Sequence, residues 1–291
     1  MANSIALGEK FLPVLQKIYK ASAKTAVLED TAGAPQKTDI AGTYKIPVIE
    51  TVGLGDYDKA TGSPAGDVTF AWKSYQFARD RARRFQVDVV DDLATFGLAF
   101  GGVAADFNKR HVVPEIDAYR ISKIASTASI GGTQADLENA AAWKAALNEA
   151  LVYMDDAEVD DSERVLFITS AGYSAVKNDA TTAVQTDAFD RCETIIVPAS
   201  RMKTAVDLNA GATSDAGGFT AAESAVNVNF LIVDKGAIWA GTEHEALRIW
   251  SPSENQGPNA WLTDYRIFYD CFVRQGLESG VYLHKAAESV S

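Results

Sequence analysis

The stretch FARDRARRFQVDVVDD, residues 77–92, sets four arginines, Arg79, Arg81, Arg83 and Arg84, ahead of three aspartates, Asp88, Asp91 and Asp92. As a strand it places Arg79, Arg81 and Arg83 on one face between Phe77 and Phe85, because side chains alternate across a pleated chain. A row of guanidinium groups makes a poor core and a good grip for carboxylates, which arginine holds through two parallel N–H donors. A catalytic site, a nucleic-acid contact and a charged joint between subunits each fit such a row. The rest of the chain decides among them.

Upstream, residues 43–52 (TYKIPVIETV) and 68–77 (VTFAWKSYQF) read as two strands, joined by residues 53–67, which hold four glycines and a proline. An isolated hairpin is marginal in water. No neighbouring segment in sequence can cover it, so its expected partner is another subunit. Residues 5–24 carry a helical stripe of Leu7, Phe11, Val14, Leu15, Ile18 and Tyr19, interrupted by Pro13, and lead into an irregular arm.

Downstream, Asp91 or Asp92 is placed to cap a helix start. The stripe Phe96, Phe100, Val103 and Phe107 continues past Pro114, as a kink, through Ile116, Tyr119 and Ile124, predicting one long bent helix over 92–126. Gly97, Gly101 and Gly102 each cost such a helix roughly 1 kcal/mol, which suggests close approach by a neighbour. Thr133 and Asp136 have capping-box spacing, and Trp143, Leu147, Leu151 and Met154 mark a second helix. An α/β alternation follows: strand 164–170, helix 171–180, strand 193–200, a loop over 203–227, and strand 228–241. Residues 260–274 read as one long strand with Trp261, Thr263, Tyr265, Ile267, Tyr269, Cys271 and Val273 on a single face, and GVYLHKA closes the chain as its antiparallel partner.

The 291 residues are 47% hydrophobic and carry a net charge of −12. An acidic surface repels nucleic acid unless cations are segregated, and only residues 71–85, with Lys73 and the four arginines against Asp80, reach +4. Cys192 and Cys271 fit neither a disulfide framework nor a zinc site. The N-terminus lacks a signal-peptide core, and the longest nearly uncharged apolar run, residues 93–105, is too short to span a bilayer. A soluble, intracellularly made protein with no membrane partner is expected.

Catalytic constellations are missing from the pattern. His111, His244 and His284 are scattered, and HEALR at 244–248 has Arg248 where a zinc-protease motif needs histidine. GSPAG at 62–66 is not a nucleophile elbow. The acidic run Asp155, Asp156, Glu158, Asp160, Asp161 and Glu163 lacks the glycine of a calcium loop and reads as a solvated helix end. The five tryptophans occur singly, without a basic groove, and read as packing. No enzyme activity, metal or cofactor is expected.

Four segments together resemble the major capsid proteins of tailed double-stranded DNA phages with the HK97-like fold. They are YKIPVIETVGLGDYDKATG (44–62), FARDRARRFQVDVVDD with VVPEIDAYR (112–120), IIVPASRMKT (195–204), and residues 229–286. The resemblance implies an α+β fold: an N-terminal arm (1–42), an extended β-hairpin loop (43–77), a peripheral domain with a long spine helix (78–130 and 255–291), and an axial α/β domain (131–254). It implies hexamers and pentamers of the chain closing into an icosahedral head around DNA, assembled in the host cytoplasm. Portal, scaffolding or decoration proteins are the implied partners, with weak sequence-blind contact to the packaged DNA. With an arm of about 42 residues, no fused scaffolding domain is expected. On this basis Arg79, Arg81, Arg83 and Arg84 are expected to pair with acids of adjacent subunits at the loop base. Asp88, Asp91 and Asp92 are their reciprocal partners, with Tyr57 and Lys59 as interface residues of the loop tip. Local surface pairing within the chain is the competing expectation. An encapsulin-like compartment shares the implied fold, and an α/β enzyme is the alternative from another class.

Overall fold

The computed structural model describes residues 22–29, 36–40, 42–89, 106–179, 185–212, 215–255 and 259–287. The expected helix over 5–24, apart from its last three residues, the helix start at Asp91 or Asp92 and the glycines at 97, 101 and 102 lie outside the described residues.

Strands β1 (Gln36–Lys37), β2 (Thr43–Thr51) and β3 (Val68–Gln76) form an antiparallel sheet whose main part is the expected hairpin. Strand β4 (Arg79–Asp88) leaves that hairpin and pairs elsewhere. Helix α1 (Val113–Ala125) follows a π-helical turn over Asn108–Val112. Pro114 lies inside a helical run that continues from residue 106 through α1, two residues beyond the π-turn, whose wider winding accommodates a residue without an N–H. The helix thus continues across Pro114, as expected over the described residues 106–125, with the π-turn as the irregularity beside the proline.

Next come β5 (Gly131–Gln134), α2 (Ala140–Asp156), β6 (Arg164–Thr169), α3 (Ser170–Lys177), α4 (Ala188–Arg191) and β7 (Glu193–Val197). The capping box expected at Thr133 and Asp136 is not there. Thr133 lies in β5, which pairs in parallel with the last strand, and Asn139 caps α2 by accepting from the Ala142 N–H (2.9 Å). The 203–227 loop contains a small hairpin, β8 (Val206–Leu208) with β9 (Phe219–Ala221).

The strand expected over 228–241 is two strands, β10 (Val228–Asp234) and β11 (Ile238–Trp250). They are divided by a turn in which the Asp234 carboxylate accepts from the Gly236 N–H. The two belong to different sheets. β11 joins β12 (Ala260–Val273) and β4, whereas β10 joins β13 (Val281–Lys285), β5, β6 and β7 in the order β5-β13-β10-β6-β7. Strand pairing therefore crosses the expected domain limits: β13 lies in the sheet of the 131–254 segment, and β11 in the sheet of the flanking segments.

The five-stranded sheet is covered on both faces, so its central strands are apolar throughout, as strands with two buried faces must be. Val165, Phe167, Leu231 and Val233 face Ile121 and Ile124 of α1, together with Leu28 and Met202. Leu166, Ile168, Phe230 and Ile232 face Trp143, Leu147, Leu151 and Met154 of α2. The other end of α1, through Ile116 and Tyr119, packs on Leu247, Ile249, Tyr265, Ile267 and Tyr269 of β11 and β12. One helix thereby joins two sheets. The single-face pattern of β12 is the reason: Thr263, Tyr265, Ile267, Tyr269 and Cys271 are all buried.

Candidate functional site

Helix α1 holds three distant parts of the chain through side chains of the VVPEIDAYR segment. Asp117 is fully buried and accepts from the Lys24 and Thr25 N–H groups (3.0 and 2.9 Å), Thr25 Oγ1 (2.7 Å) and Arg201 Nη1 (3.0 Å). Arg120, also buried, donates from Nη2 to Glu29 Oε1 at 2.8 Å. Tyr119 donates to Asp270 Oδ1 at 2.8 Å, and the other oxygen of Asp270 accepts from the Ala78 N–H at 2.9 Å. Burial, with the charge of Asp270, pushes the Tyr119 hydroxyl above its ordinary range. Residues 24–29, the 199–201 turn and the root of the hairpin thus converge on one helix. Sequence reasoning missed this hub. Its only local trace is charge set among the apolar residues of a helix, since the partners lie 84 to 151 residues away.

The hairpin is anchored at its root and bare beyond it. Phe77 packs on Trp239 (5.1 Å between ring centroids), Tyr44 (4.9 Å) and Phe268 (5.7 Å). Further out, Ile49 stands opposite Phe70 and Pro47 opposite Trp72, giving one face an apolar surface. Ile49 is 61% and Phe70 55% exposed. Tyr57 and Lys59 are exposed in the tip, which the Asp58–Gly62 bridge closes.

The arginine row divides between two faces of β4. Arg81 is held within its own chain: Nε and Nη2 reach the two carboxylate oxygens of Glu115 (2.7 and 3.0 Å), and Nη1 donates to the Asn209 carbonyl (2.8 Å). The spine segment supplies that acid because Arg81 faces α1. Arg83, on the same face, donates to the Gly211 carbonyl (3.1 Å). Arg79 lies over the Tyr119 ring at 5.0 Å. Arg84 points the other way, exposed, 3.6 Å from Asp264, and beside it Arg266 pairs with Asp80. Asp88 ends β4 exposed, and Asp91 and Asp92 lie outside the described residues.

Several other sequence features have structural partners. The acidic run clamps arginines: Asp155 and Asp161 both bind Arg164 (2.8 Å each) and Arg191 (2.5 and 2.8 Å). These guanidinium groups, Arg191 foremost, hold the Asp155 carboxyl down at about 2. Burial pushes the Cys192 thiol up to about 11 and that of Cys271 up to about 12, so neither is a ready nucleophile. His284 is buried against the Phe230 ring (5.0 Å) and accepts at Nδ1 from the Asn229 amide (3.1 Å). Burial lowers its proton affinity, and Glu149 opposes this more weakly.

The two depressed groups act in the same direction. The unfolded chain binds more protons than the folded one, so stability falls with falling pH. His284 contributes its loss below about pH 6.5, and Asp155 between about 4 and 2. Melting temperature should therefore drop between pH 7 and 5, and H284Q should flatten that part of the profile. An unchanged slope in H284Q would assign the loss to other groups.

No helix among the described residues is long and apolar enough to cross a membrane. No group of three or more histidine, cysteine or acidic side chains placed to hold a metal occurs among them. No family model and no curated protein matches the chain. Solved structures do. The capsid of the cyanophage P-SCSP1u aligns at 12% identity over 90% of this chain and 87% of that one, with a TM-score of 0.58. A virus-like particle from Pyrococcus furiosus aligns at 10% identity over 96% and 99%, TM-score 0.57. A Gordonia phage Cozz structure aligns at 11% over 92% and 87%, TM-score 0.57. The chain has the HK97-like fold.

Proposed function

We propose that the chain is a major capsid protein, a structural subunit that builds the icosahedral head of a tailed phage. The observation that carries this reading is the hairpin. Its apolar face, Pro47, Ile49, Val68, Phe70 and Trp72, is left uncovered by the described residues of its own chain, although its root is firmly packed. Contiguous exposed apolar surface on an otherwise ordinary globular chain marks an interaction site. The fold supplies the partner, since its neighbours include a phage capsid and a virus-like particle.

In this function the chain works by geometry rather than by chemistry. Hexamers and pentamers close a shell, the hairpin reaches over a neighbouring copy, and Tyr57 and Lys59 lie in the contact. Arg79, Arg84 and Asp88, on the exposed parts of β4, are the charged residues we assign to that joint, with Asp91 and Asp92 just beyond it. Arg81 no longer suits this role, because reversing its charge would strand Glu115 in the same chain. Arg84 is the better probe. R84E should lower the yield of closed particles several-fold, whereas its folding stability should stay within about 0.5 kcal/mol, as for ordinary surface changes. Sedimentation of assembled particles and thermal melts of subunits measure the two effects. Unchanged particle yield removes Arg84 from the joint.

Portal, scaffolding and decoration proteins, host-cytoplasmic assembly and weak contact with packaged double-stranded DNA follow from the phage reading. A closed protein compartment of the same fold is the second reading. The near-complete overlap with the Pyrococcus virus-like particle favours it. Nuclease-protected DNA in particles purified from the native source supports the head. Particles holding a protein cargo and no DNA support the compartment.

A further inference from the structure

A cavity lies between β4, the π-turn before α1, β12 and the β8–β9 hairpin. Arg81 and Glu115 neutralise one another within it. Arg83 does not share that neutralisation: half-buried in the wall, it meets the Gly211 carbonyl, and no carboxylate pairs with it among the described residues. His111, stacked on Phe107 (5.8 Å), lines the same space. At the far end the Tyr269 hydroxyl, fully buried, has no hydrogen-bond partner among the described residues. Gly211 makes room for Arg83. It has φ +70°, and a Cβ there would come within 2.7 Å of Arg83 Nη1.

A guanidinium withdrawn from water without a counter-charge, and a buried hydroxyl without a partner, each cost stability. One acceptor-rich anion entering the cavity beside Arg83 would answer the first. We infer that the cavity is a carboxylate-binding site and that a second copy of the chain supplies the carboxylate. The source rests on the shell reading, and charge complementarity supports it. The chain carries 39 acidic against 27 basic residues. Another copy therefore presents carboxylates in excess, whereas a nucleic-acid phosphate meets a net charge of −12. The interaction exchanges a half-buried lone cation for a charge-assisted, two-toothed pair of the kind arginine makes best.

The test compares arginine-selective labelling by phenylglyoxal, read residue by residue by mass spectrometry, in unassembled subunits and in particles. Arg191, which Asp155 and Asp161 hold within its own chain and which is not assigned to the joint, is the internal reference. Arg83 labelling should fall about tenfold relative to Arg191 on assembly. R83Q should raise the subunit concentration needed for assembly several-fold without lowering the subunit melting temperature, and R83K should restore it in part. Equal labelling of Arg83 in both states overturns the inference, as does normal assembly of R83Q. A parallel arm adds inorganic phosphate to unassembled subunits. Protection of Arg83 by phosphate, without protection in particles, assigns the site to a free anion and overturns the second-copy source. If the wild-type chain forms no particles, the shell reading itself fails. The phosphate arm then decides alone, and the absence of protection there refutes an anion site.

Discussion

Replacing Asp117 with alanine should cost about 3–5 kcal/mol, the usual penalty for breaking a buried ion pair from one side. The carboxylate has no exposed surface and accepts four hydrogen bonds, three from Lys24 and Thr25 and one from Arg201. Alanine would leave two backbone N–H groups, a hydroxyl and a guanidinium without their acceptor, and each buried donor so stranded costs about 1–3 kcal/mol before relaxation. Asparagine would keep the volume, but half of its amide is a donor facing donors, so D117N should recover little. The melting temperature should fall by on the order of 10 °C. The double variant with R201M should be less damaging than the sum of the singles, because the second change removes the cation that the first had stranded. Additive losses would mean that Asp117 and Arg201 do not act as a pair.

The second large effect is expected at Phe77. Its ring is 4% exposed and touches Tyr44, Trp239, Phe268 and Phe272 at the root of the hairpin. Phe→Ala in a packed cluster costs about 3–5 kcal/mol through lost transfer energy and the cavity left behind. The loss should be local. The five-stranded sheet and its two apolar layers do not use Phe77, so they should stay folded while the hairpin detaches. Hydrogen exchange of amides in β2 and β3 should quicken on the order of a hundredfold or more, since each 1.4 kcal/mol is a factor of ten. Exchange in β6 and β10 should hardly change. If all strands quicken together, the hairpin is part of one cooperative unit and its root is no separate anchor.

Those two sites differ in how far the sequence reveals them. The alternation Val68, Phe70, Trp72 and the glycine-rich tip made the hairpin legible, because a period of two and turn chemistry are local signals. The same holds for β12, whose alternating face survives over fourteen residues. Trp143, Leu147, Leu151 and Met154 likewise declared α2 by spacing alone. The hub around Asp117 was not legible, since helical periodicity cannot tell a buried charge with remote partners from a solvated one.

Elsewhere the signals misled for physical reasons. Thr133 and Asp136 have the spacing of a capping box, but Thr133 meets Tyr282 across a strand pair and Asp136 accepts from the Ala287 N–H. Spacing cannot distinguish those roles. The run from Val228 to Gly241 is apolar apart from Asn229 and DKGA, and that four-residue turn moves the chain from one sheet to another. Asp234 two residues before Gly236 is a turn signal that could have divided it. For the arginine row, alternation placed Arg81 and Arg83 on one face correctly. It could not show that the spine segment itself, through Glu115, supplies the acid for Arg81.

The central claim is that this chain builds a closed shell, and the mass of its assemblies tests that most directly. Light scattering of the purified 291-residue chain, with electron microscopy of the same sample, should find closed particles of megadalton mass or rings of five and six subunits. A folded chain that stays monomeric at high concentration, with crowding agent and with a co-expressed scaffold, would contradict the account.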